Sequence, residues 1–307
     1  MERILGVVVP VFAVILLGSV TARRRLIDTA GLRGLNDFVY FIGLPALLFG
    51  SVSGGGRAPV FGVAGVYFAS CLIVYALAML LARLVLRADP AGAAMFGLNA
   101  TFGNTVFMGI PIVSAAFGKA GLVPLLAIIA LHSALLLSLA AVLVEVGGHR
   151  GGALGRVLRV TLPGVLRNPV ILAILAAFLW RLSGGVLPEV AARLIAMLGA
   201  TAPALALFCL GASLPGFGRV LVAPQSLLIS LLKLAVLPLV VAALGRLAGL
   251  AGLPFAVAVL TAGMPTGANA FLLARRTATL AEDSAAAVAL STALSVLGLG
   301  FLMALVR

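Results

Sequence analysis

Apolar runs of roughly 20 residues, the length at which an α-helix spans a bilayer, recur along the whole chain and limit the folds open to it. The 307-residue chain is 63% hydrophobic and 9% charged, whereas soluble domains are about 45–50% apolar and about 25% charged. Backbone in lipid must satisfy its own hydrogen bonds, and these runs do not alternate as barrel strands do. The sequence therefore predicts an all-α polytopic membrane protein.

The apolar runs predict ten transmembrane helices, joined by short loops rich in Gly, Pro and Arg. The longest polar connection follows the fifth run. We therefore expect a first five-helix unit over 1–146, a short central cytoplasmic loop over 147–165 and a second five-helix unit over 166–307. The predicted spans are 4–22, 35–52, 59–86, 92–115, 122–145, 166–183, 193–213, 226–249, 254–274 and 284–306.

The net charge of +13 is best explained by membrane topology, because cytoplasmic loops carry an excess of Lys and Arg. Of the 21 Lys and Arg residues, 13 lie in loops after odd-numbered spans and 7 lie in even-numbered loops and the termini. This asymmetry predicts that both termini lie outside. No long basic helix or RNA-binding aromatic motif is present in the sequence, so we expect no nucleic-acid partner.

Two pairs of similar segments indicate an internal repeat. LPALLFGSVS at 44–53 resembles APALALFCLGASL at 202–214, and GNTVFMGIP at 103–111 resembles GMPTGANAF at 263–271. These segments lie in the second and seventh spans and in the fourth and ninth. Because each half holds five spans, an odd number, the second half enters the membrane from the opposite side, which is an inverted-topology repeat.

The second pair of segments predicts broken helices in the middle of the fourth and ninth spans. Matching interruptions in inverted repeats are the best sequence indicator of a transporter site, because half-helix N-termini offer amides and partial positive charge to an anion. The chain has only five Asn residues, and two of them lie at these breaks. The predicted substrate-binding residues are Gly103, Asn104, Thr105, Thr266, Gly267 and Asn269.

Three other polar residues in the predicted spans are candidates for a specific role. An ammonium in the membrane is costly, so Lys233 is read as a counter-charge for an anion, as a titrating group that couples transport to protons, or as a side chain that snorkels to the interface. His132 is a possible site residue that could titrate, or else a packed hydrogen-bonding group. Asp37 begins the second span, where an interfacial or capping role is expected.

Four segments together resemble the auxin efflux carrier family in its short bacterial form, a family related to the plant PIN-type auxin exporters. The segments are NATFGNTVFMGIPIV, GMPTGANAFLLARR, LRNPVILAIL and APALALFCLGASL. The resemblance implies ten helices in two inverted repeats, with the broken fourth and ninth helices crossing, as in the bile acid/sodium symporter fold. It also implies a location in the bacterial inner membrane.

The resemblance further implies a scaffold of spans 1, 2, 6 and 7 and a moving transport domain of spans 3–5 and 8–10. Related carriers move by an elevator-like motion and are often homodimers through the scaffold. Lys233 would then stand in for a coupling sodium ion. Plant members carry Pro-Asn-Thr where this chain has Gly103-Asn104-Thr105, and they have a much longer central loop, which argues against auxin itself as the substrate.

The function that the sequence favours is secondary transport of a small organic anion, such as a mono- or dicarboxylate or an auxin-like acid, and the family resemblance implies export. Proton or sodium coupling and uniport all stay open. The alternatives are a sodium-coupled carrier like the bile-acid symporters, a passive channel, and a receptor or scaffold without transport. The sequence has no zinc, Walker or protease motif, so we expect neither an enzyme nor a bound metal or cofactor.

Overall fold

The computed structural model describes residues 2–53, 60–147, 168–217 and 223–306. Most of the predicted central loop, including His149, lies outside these residues. The described chain is helical and contains no strand. The α-helices are α1 Glu2–Arg23, α2 Thr29–Phe38, α3 Leu44–Ser53, α4 Val60–Leu84, α5 Pro90–Thr101, α6 Ile110–Gly147, α7 Pro169–Leu182, α8 Glu189–Ser213, α9 Pro224–Leu231, α10 Leu237–Leu247, α11 Gly252–Ala262, α12 Ala268–Thr277 and α13 Ala281–Leu305.

Short turns of other helical geometry extend several of these helices. π-Helical turns at Val39–Gly43, Thr105–Gly109 and Leu232–Val236 join α2 to α3, lead into α6, and join α9 to α10, while a 3-10 turn at Leu214–Phe217 follows α8. Insertions of this kind inside helices often mark functional positions. The second and third π-helical turns contain Thr105 and Lys233, two of the predicted site residues.

Within the described residues, six helical segments are long and apolar enough to cross a membrane. This confirms the prediction of an all-helical polytopic membrane protein. α1, α7 and α11 contribute shorter apolar helices. The six segments are Thr29–Ser53, Gly62–Leu84, Thr105–Gly147, Glu189–Ser213, Pro224–Leu247 and Ala281–Leu305.

α6 contains one interruption, at Gly118, where φ is +63° and ψ is −159°. This backbone conformation suits glycine, which has no Cβ to clash. The interruption lies between the fourth and fifth spans predicted from the sequence, so the long segment from Thr105 to Gly147 holds two apolar stretches joined by a kink.

α1, α3, α7 and α8 pack closely against one another, and small residues make the approach possible. α1 runs along α8, and α3 contacts both α7 and α8. A Cβ added to Gly211 would overlap the carbonyl oxygen of Ile15, and one added to Gly18 would overlap that of Phe208. Glycine at these two positions lets the backbones of α1 and α8 meet, as is common in membrane helix pairs.

The remaining helices enclose α5. Every residue from Ala91 to Thr101 is buried, and α5 packs on α4, α6 and α12. α11 lies against α6 and α10, and its residues from Ala256 to Ala262 are also buried. α5 and α11 are therefore interior half-helices, and both end in the core of the protein.

Candidate functional site

The two interrupted segments meet at the ends of these half-helices. α5 ends at Thr101 and α11 at Ala262, and their chains pair through an antiparallel bridge between Gly103 and Thr266. The N–H of Asn104 donates to the carbonyl of Pro265 at 2.8 Å, and the N–H of Gly267 donates to the carbonyl of Phe102 at 2.9 Å. Each break thus supplies hydrogen-bond partners to backbone groups of the other, and lipid could not supply such partners.

Gly267 is required by the closeness of this crossing. A Cβ at this position would lie 2.8 Å from the Phe102 ring and 3.0 Å from the carbonyl oxygen of Gly103. At Gly103 the nearest atoms to an added Cβ are 3.4 Å away, in the Lys233 side chain. The second break therefore excludes a side chain, whereas the first has room for a methyl group.

A cavity of about 320 Å³ opens at the crossing. Five of the six predicted substrate-binding residues line it: Gly103, Asn104, Thr105, Gly267 and Asn269. Asp37 is the only charged residue in the described lining. The cavity wall therefore offers amides and hydroxyls but no Lys or Arg side chain among the described residues.

Asn104 caps the helical turn that follows the first break. Its Oδ1 accepts the N–H of Phe107 at 3.2 Å, as expected of an N-cap residue. Because the amide oxygen is engaged in the cap, the amide NH₂ of Asn104 is the group that remains for a ligand in the cavity.

The second break ends in an uncapped helix N-terminus. Gly267 precedes α12 and has no side chain to cap it. The first N–H groups of a helix have no intrahelical partner, and here they belong to Ala268 and Asn269, which both line the cavity. A helix N-terminus of this kind attracts a carboxylate through its amides and its partial positive charge.

Thr266 lies behind the cavity wall. It is fully buried, its N–H donates to Ser291 Oγ at 3.0 Å, and its hydroxyl donates to the Asn99 carbonyl at 3.0 Å. Both polar groups are therefore engaged in holding the second break against α5 and α13, and Thr266 is not among the residues that line the cavity.

Lys233 is also buried behind the crossing, with no exposed surface, so the alternative of snorkelling to the interface is wrong. Its Nζ donates to the carbonyl of Ala262 at 2.6 Å. Ala262 is the last residue of α11, where the helix dipole is negative and a cation is favourable. Nζ thus meets a half-helix C-terminus, where its charged form is favourable, and lies next to Gly103, but Lys233 does not line the cavity.

His132 approaches the first break from α6. Its Nε2 accepts the N–H of Gly103 at 3.1 Å, and its ring packs against Phe102 with centroids 4.6 Å apart. His132 is buried and, like Lys233, does not line the cavity. Both residues contact Gly103, which lines the cavity, but neither is part of the cavity wall.

The profile of a family described as "Membrane transport protein" matches residues 3–303. The chain belongs to this family. The match confirms the resemblance to auxin efflux carriers drawn from the break motifs. The chain is 30% identical over 321 aligned residues to a "Putative malonate transporter" of Rhizobium meliloti, covering 100% of this chain and 97% of that protein. It is 27% identical over 300 residues to an "Uncharacterized transporter" of Methanothermobacter thermautotrophicus, covering 95% of each.

Sequence reasoning about this membrane transport protein missed part of the cavity wall. Asp37 lines the cavity, so the expected capping role is wrong: the N-cap of α2 is Asp28, whose Oδ1 accepts the N–H of Gly31 at 2.7 Å. Tyr40 follows Asn36 by four residues and Asp37 by three, about one helical turn in each case, a spacing that indicates a shared face. The other polar lining residues that were missed are Asn36, Tyr40, Ser133, Asn168 and Ser213.

Proposed function

We propose that this protein is a secondary transporter of a small organic anion that carries a carboxylate. The observation that carries the proposal is the crossing itself: an uncapped helix N-terminus and the Asn104 amide line one cavity. Membership of a membrane transport family supports transport over catalysis. A relative that is named as a malonate transporter supports a carboxylate as the transported group.

The substrate carboxylate docks on the N-terminus of α12 and on the amide NH₂ of Asn104. The side chains of Thr105 and Asn269 add hydrogen bonds from opposite sides of the crossing, and Gly103 and Gly267 let the two backbones approach the ligand. Thr266 contributes indirectly, because its bonds to Ser291 and to the Asn99 carbonyl fix the backbone that presents these amides.

Lys233 supplies the charge balance of the crossing. Two half-helix C-termini, those of α5 and α11, end in the core beside the site, and the ammonium is bonded to one of them. A fixed cation at this place removes the need for a coupling sodium ion, so we propose that transport does not require sodium.

The transport cycle that we propose uses ten helices in two inverted five-helix units. The proposed scaffold and homodimer contact consist of α1, α2–α3, α7 and α8, and within this group α1 and α8 meet at Gly18 and Gly211. The helices around α5 and α11 carry the bound anion across in an elevator-type motion. Both termini lie on the periplasmic side of the inner membrane, and export is the proposed direction of transport.

The test is flux of labelled malonate, acetate and indole-3-acetate in proteoliposomes, with and without proton, sodium and voltage gradients. We expect saturable flux that does not depend on sodium and that falls about tenfold or more in Asn104→Ala. Thr21→Ala is the matched control, because Thr21 is on α1 and its hydroxyl bonds only to its own helix, at Leu17.

The competing functions predict different results in the same experiment. A sodium-coupled carrier gives flux only with sodium. A passive channel gives flux that does not saturate. A receptor or scaffold binds an anion without flux. Full activity in the Asn104→Ala variant contradicts the assignment of the site.

A further inference from the structure

The strongest unassigned feature outside the cavity is the bond between His132 and the first break. His132 Nε2 is 3.1 Å from the backbone nitrogen of Gly103 and accepts its N–H. Both residues are buried, and the imidazole is the partner that the structure gives to this N–H. Among the predicted site residues, Gly103 is therefore fixed by a side chain from a different helix, 29 positions away in the chain.

This geometry determines where the imidazole proton lies. A nitrogen that accepts a hydrogen bond carries no proton, and a neutral imidazole has one donor nitrogen and one acceptor nitrogen. The proton of His132 therefore resides on Nδ1, which has no hydrogen-bond partner among the described residues. Since nothing else holds the ring by its polar atoms, the bond to Gly103 alone selects the tautomer.

A doubly protonated ring does not fit this position. Its Nε2–H would face the Gly103 N–H, donor against donor, and its Nδ1–H would stay unpaired. Lys233 Nζ also lies against Gly103, 3.4 Å from the place of a Cβ on that residue. When this amine is charged, a second positive charge on His132 would be repelled by it.

The other groups around the ring do not relieve this conflict. Tyr67 packs on His132 with ring centroids 5.8 Å apart, and Phe68 and Phe102 cover it at 6.4 Å and 4.6 Å. Cys71 is buried on the same helix as Tyr67, α4. Among the described groups near the ring, none is a carboxylate that would stabilise an imidazolium.

We infer that His132 is a positioning residue: as the neutral Nδ1–H tautomer it holds the Gly103 N–H and thereby fixes the first break, and it is not the proton carrier of the transport cycle. The role rests on the proposed function, because the break is taken to be the substrate site. It also answers the question that the sequence left open, whether this histidine titrates during transport.

The tautomer can be measured directly, without any transport. His132 and His149 are the only histidines of the chain, so His149→Gln protein labelled with nitrogen-15 histidine reports a single ring. We expect solid-state NMR in lipid to show a protonated Nδ1 and a bare Nε2, unchanged from about pH 8 to about pH 5, where an ordinary histidine would become charged. An Nε2–H tautomer, or an imidazolium within this range, overturns the inference.

Two substitutions test the role in transport. His132→Gln keeps an uncharged acceptor at a similar reach but cannot carry a proton in transport. His132→Leu keeps the bulk and removes the acceptor. We expect the Gln variant to retain flux within about threefold of wild type at every pH and proton gradient, and the Leu variant to lose about tenfold or more.

The outcomes separate cleanly. A Leu variant with wild-type flux contradicts the positioning role. Loss of proton-driven flux in the Gln variant, with flux down a substrate gradient intact, shows that His132 is a proton carrier. If wild-type protein transports no organic anion at all, the proposed function fails, while the NMR result still decides the state of His132.

Discussion

The two breaks cross at one point but are built differently. The first, from Phe102 to Asn104, is held by side chains: Asn104 caps the following turn, and His132 and Lys233 contact Gly103. The second, from Gly263 to Gly267, ends in a glycine that has no side chain to cap the following helix, so no side-chain cap accepts the first N–H groups of α12. The first break therefore positions a polar side chain, whereas the second presents backbone.

This difference indicates that the two breaks have different roles in substrate binding. Backbone amides at a helix N-terminus suit any carboxylate, so the second break provides affinity for the charged group. Side chains vary with sequence, so the first break is where the remainder of the substrate is recognised. Four substitutions test these roles, and their expected effects on transport range from near-complete loss of flux to a roughly threefold change in apparent affinity.

The largest effect is expected for Gly267→Ala. The added methyl group would lie 2.8 Å from the Phe102 ring and 3.0 Å from the Gly103 carbonyl oxygen, and backbone cannot move aside as a flexible side chain can. We expect near-complete loss of flux and a destabilisation of about 1–3 kcal/mol, measured by proteoliposome flux and thermal unfolding. Gly103→Ala is the paired variant, with contacts of 3.4 Å only. Equal losses in the two variants would contradict the steric difference between the breaks.

Lys233→Met is next. The substitution keeps an unbranched side chain but removes the donor to the Ala262 carbonyl, which leaves a buried acceptor unpaired at a cost of about 1–3 kcal/mol. We expect at least tenfold lower flux and a lower unfolding temperature. Restoration of flux by sodium in this variant would show that the ammonium occupies the role of a coupling cation. If the variant is as active and as stable as wild type, Lys233 has no role in transport or in the stability of the crossing.

Asn104→Asp separates capping from binding. An Asp side chain preserves the oxygen acceptor for the Phe107 N–H but replaces the amide NH₂ with a second carboxylate oxygen beside the substrate. We expect stability within about 1 kcal/mol of wild type and about tenfold weaker apparent affinity for anions, measured as KM for flux. Asn269→Ala should be milder, because the α12 amides remain. An unchanged KM in Asn104→Asp would mean that this amide does not contact the anion.

The smallest effect is expected for Asp37→Asn. Asp37 is the only charged residue in the described cavity lining, and it is exposed, so water screens its charge. Its removal should improve the apparent affinity for a dicarboxylate about threefold relative to a monocarboxylate, measured by competition at low salt. Glu189→Gln is the control, because Glu189 is exposed on α8, is paired with Arg193, and does not line the cavity. The same shift in both variants would indicate a general surface-charge effect.

The sequence predicted the breaks because their cause is local. Gly, Pro and Asn inside an apolar run interrupt a helix wherever the chain lies, so 103–105 and 266–269 could be found from composition and spacing alone. Asn104 and Asn269 were placed on the cavity by the same reasoning. All of this information is contained within a few neighbouring residues.

What the sequence could not predict depends on contacts between distant segments. Lys233 bonds to Ala262 and His132 to Gly103, each 29 residues away, and nothing in the chain near Lys233 or His132 identifies those partners. Thr266 resembles a ligand residue in its motif, yet the rotation of its backbone directs its hydroxyl to the Asn99 carbonyl. Asp37 was expected to have an interfacial or capping role, because its place in the cavity wall depends on how α2 packs in the folded chain.

The most direct test of the central claim is counterflow in proteoliposomes loaded with unlabelled malonate or another accepted carboxylate, with trace labelled substrate outside. A carrier that binds the anion at the crossing of the two breaks should accumulate label transiently inside, without sodium, and Gly267→Ala should abolish the accumulation while Thr21→Ala keeps it. Simple equilibration of label without an overshoot, or an overshoot that survives Gly267→Ala unchanged, would contradict the account.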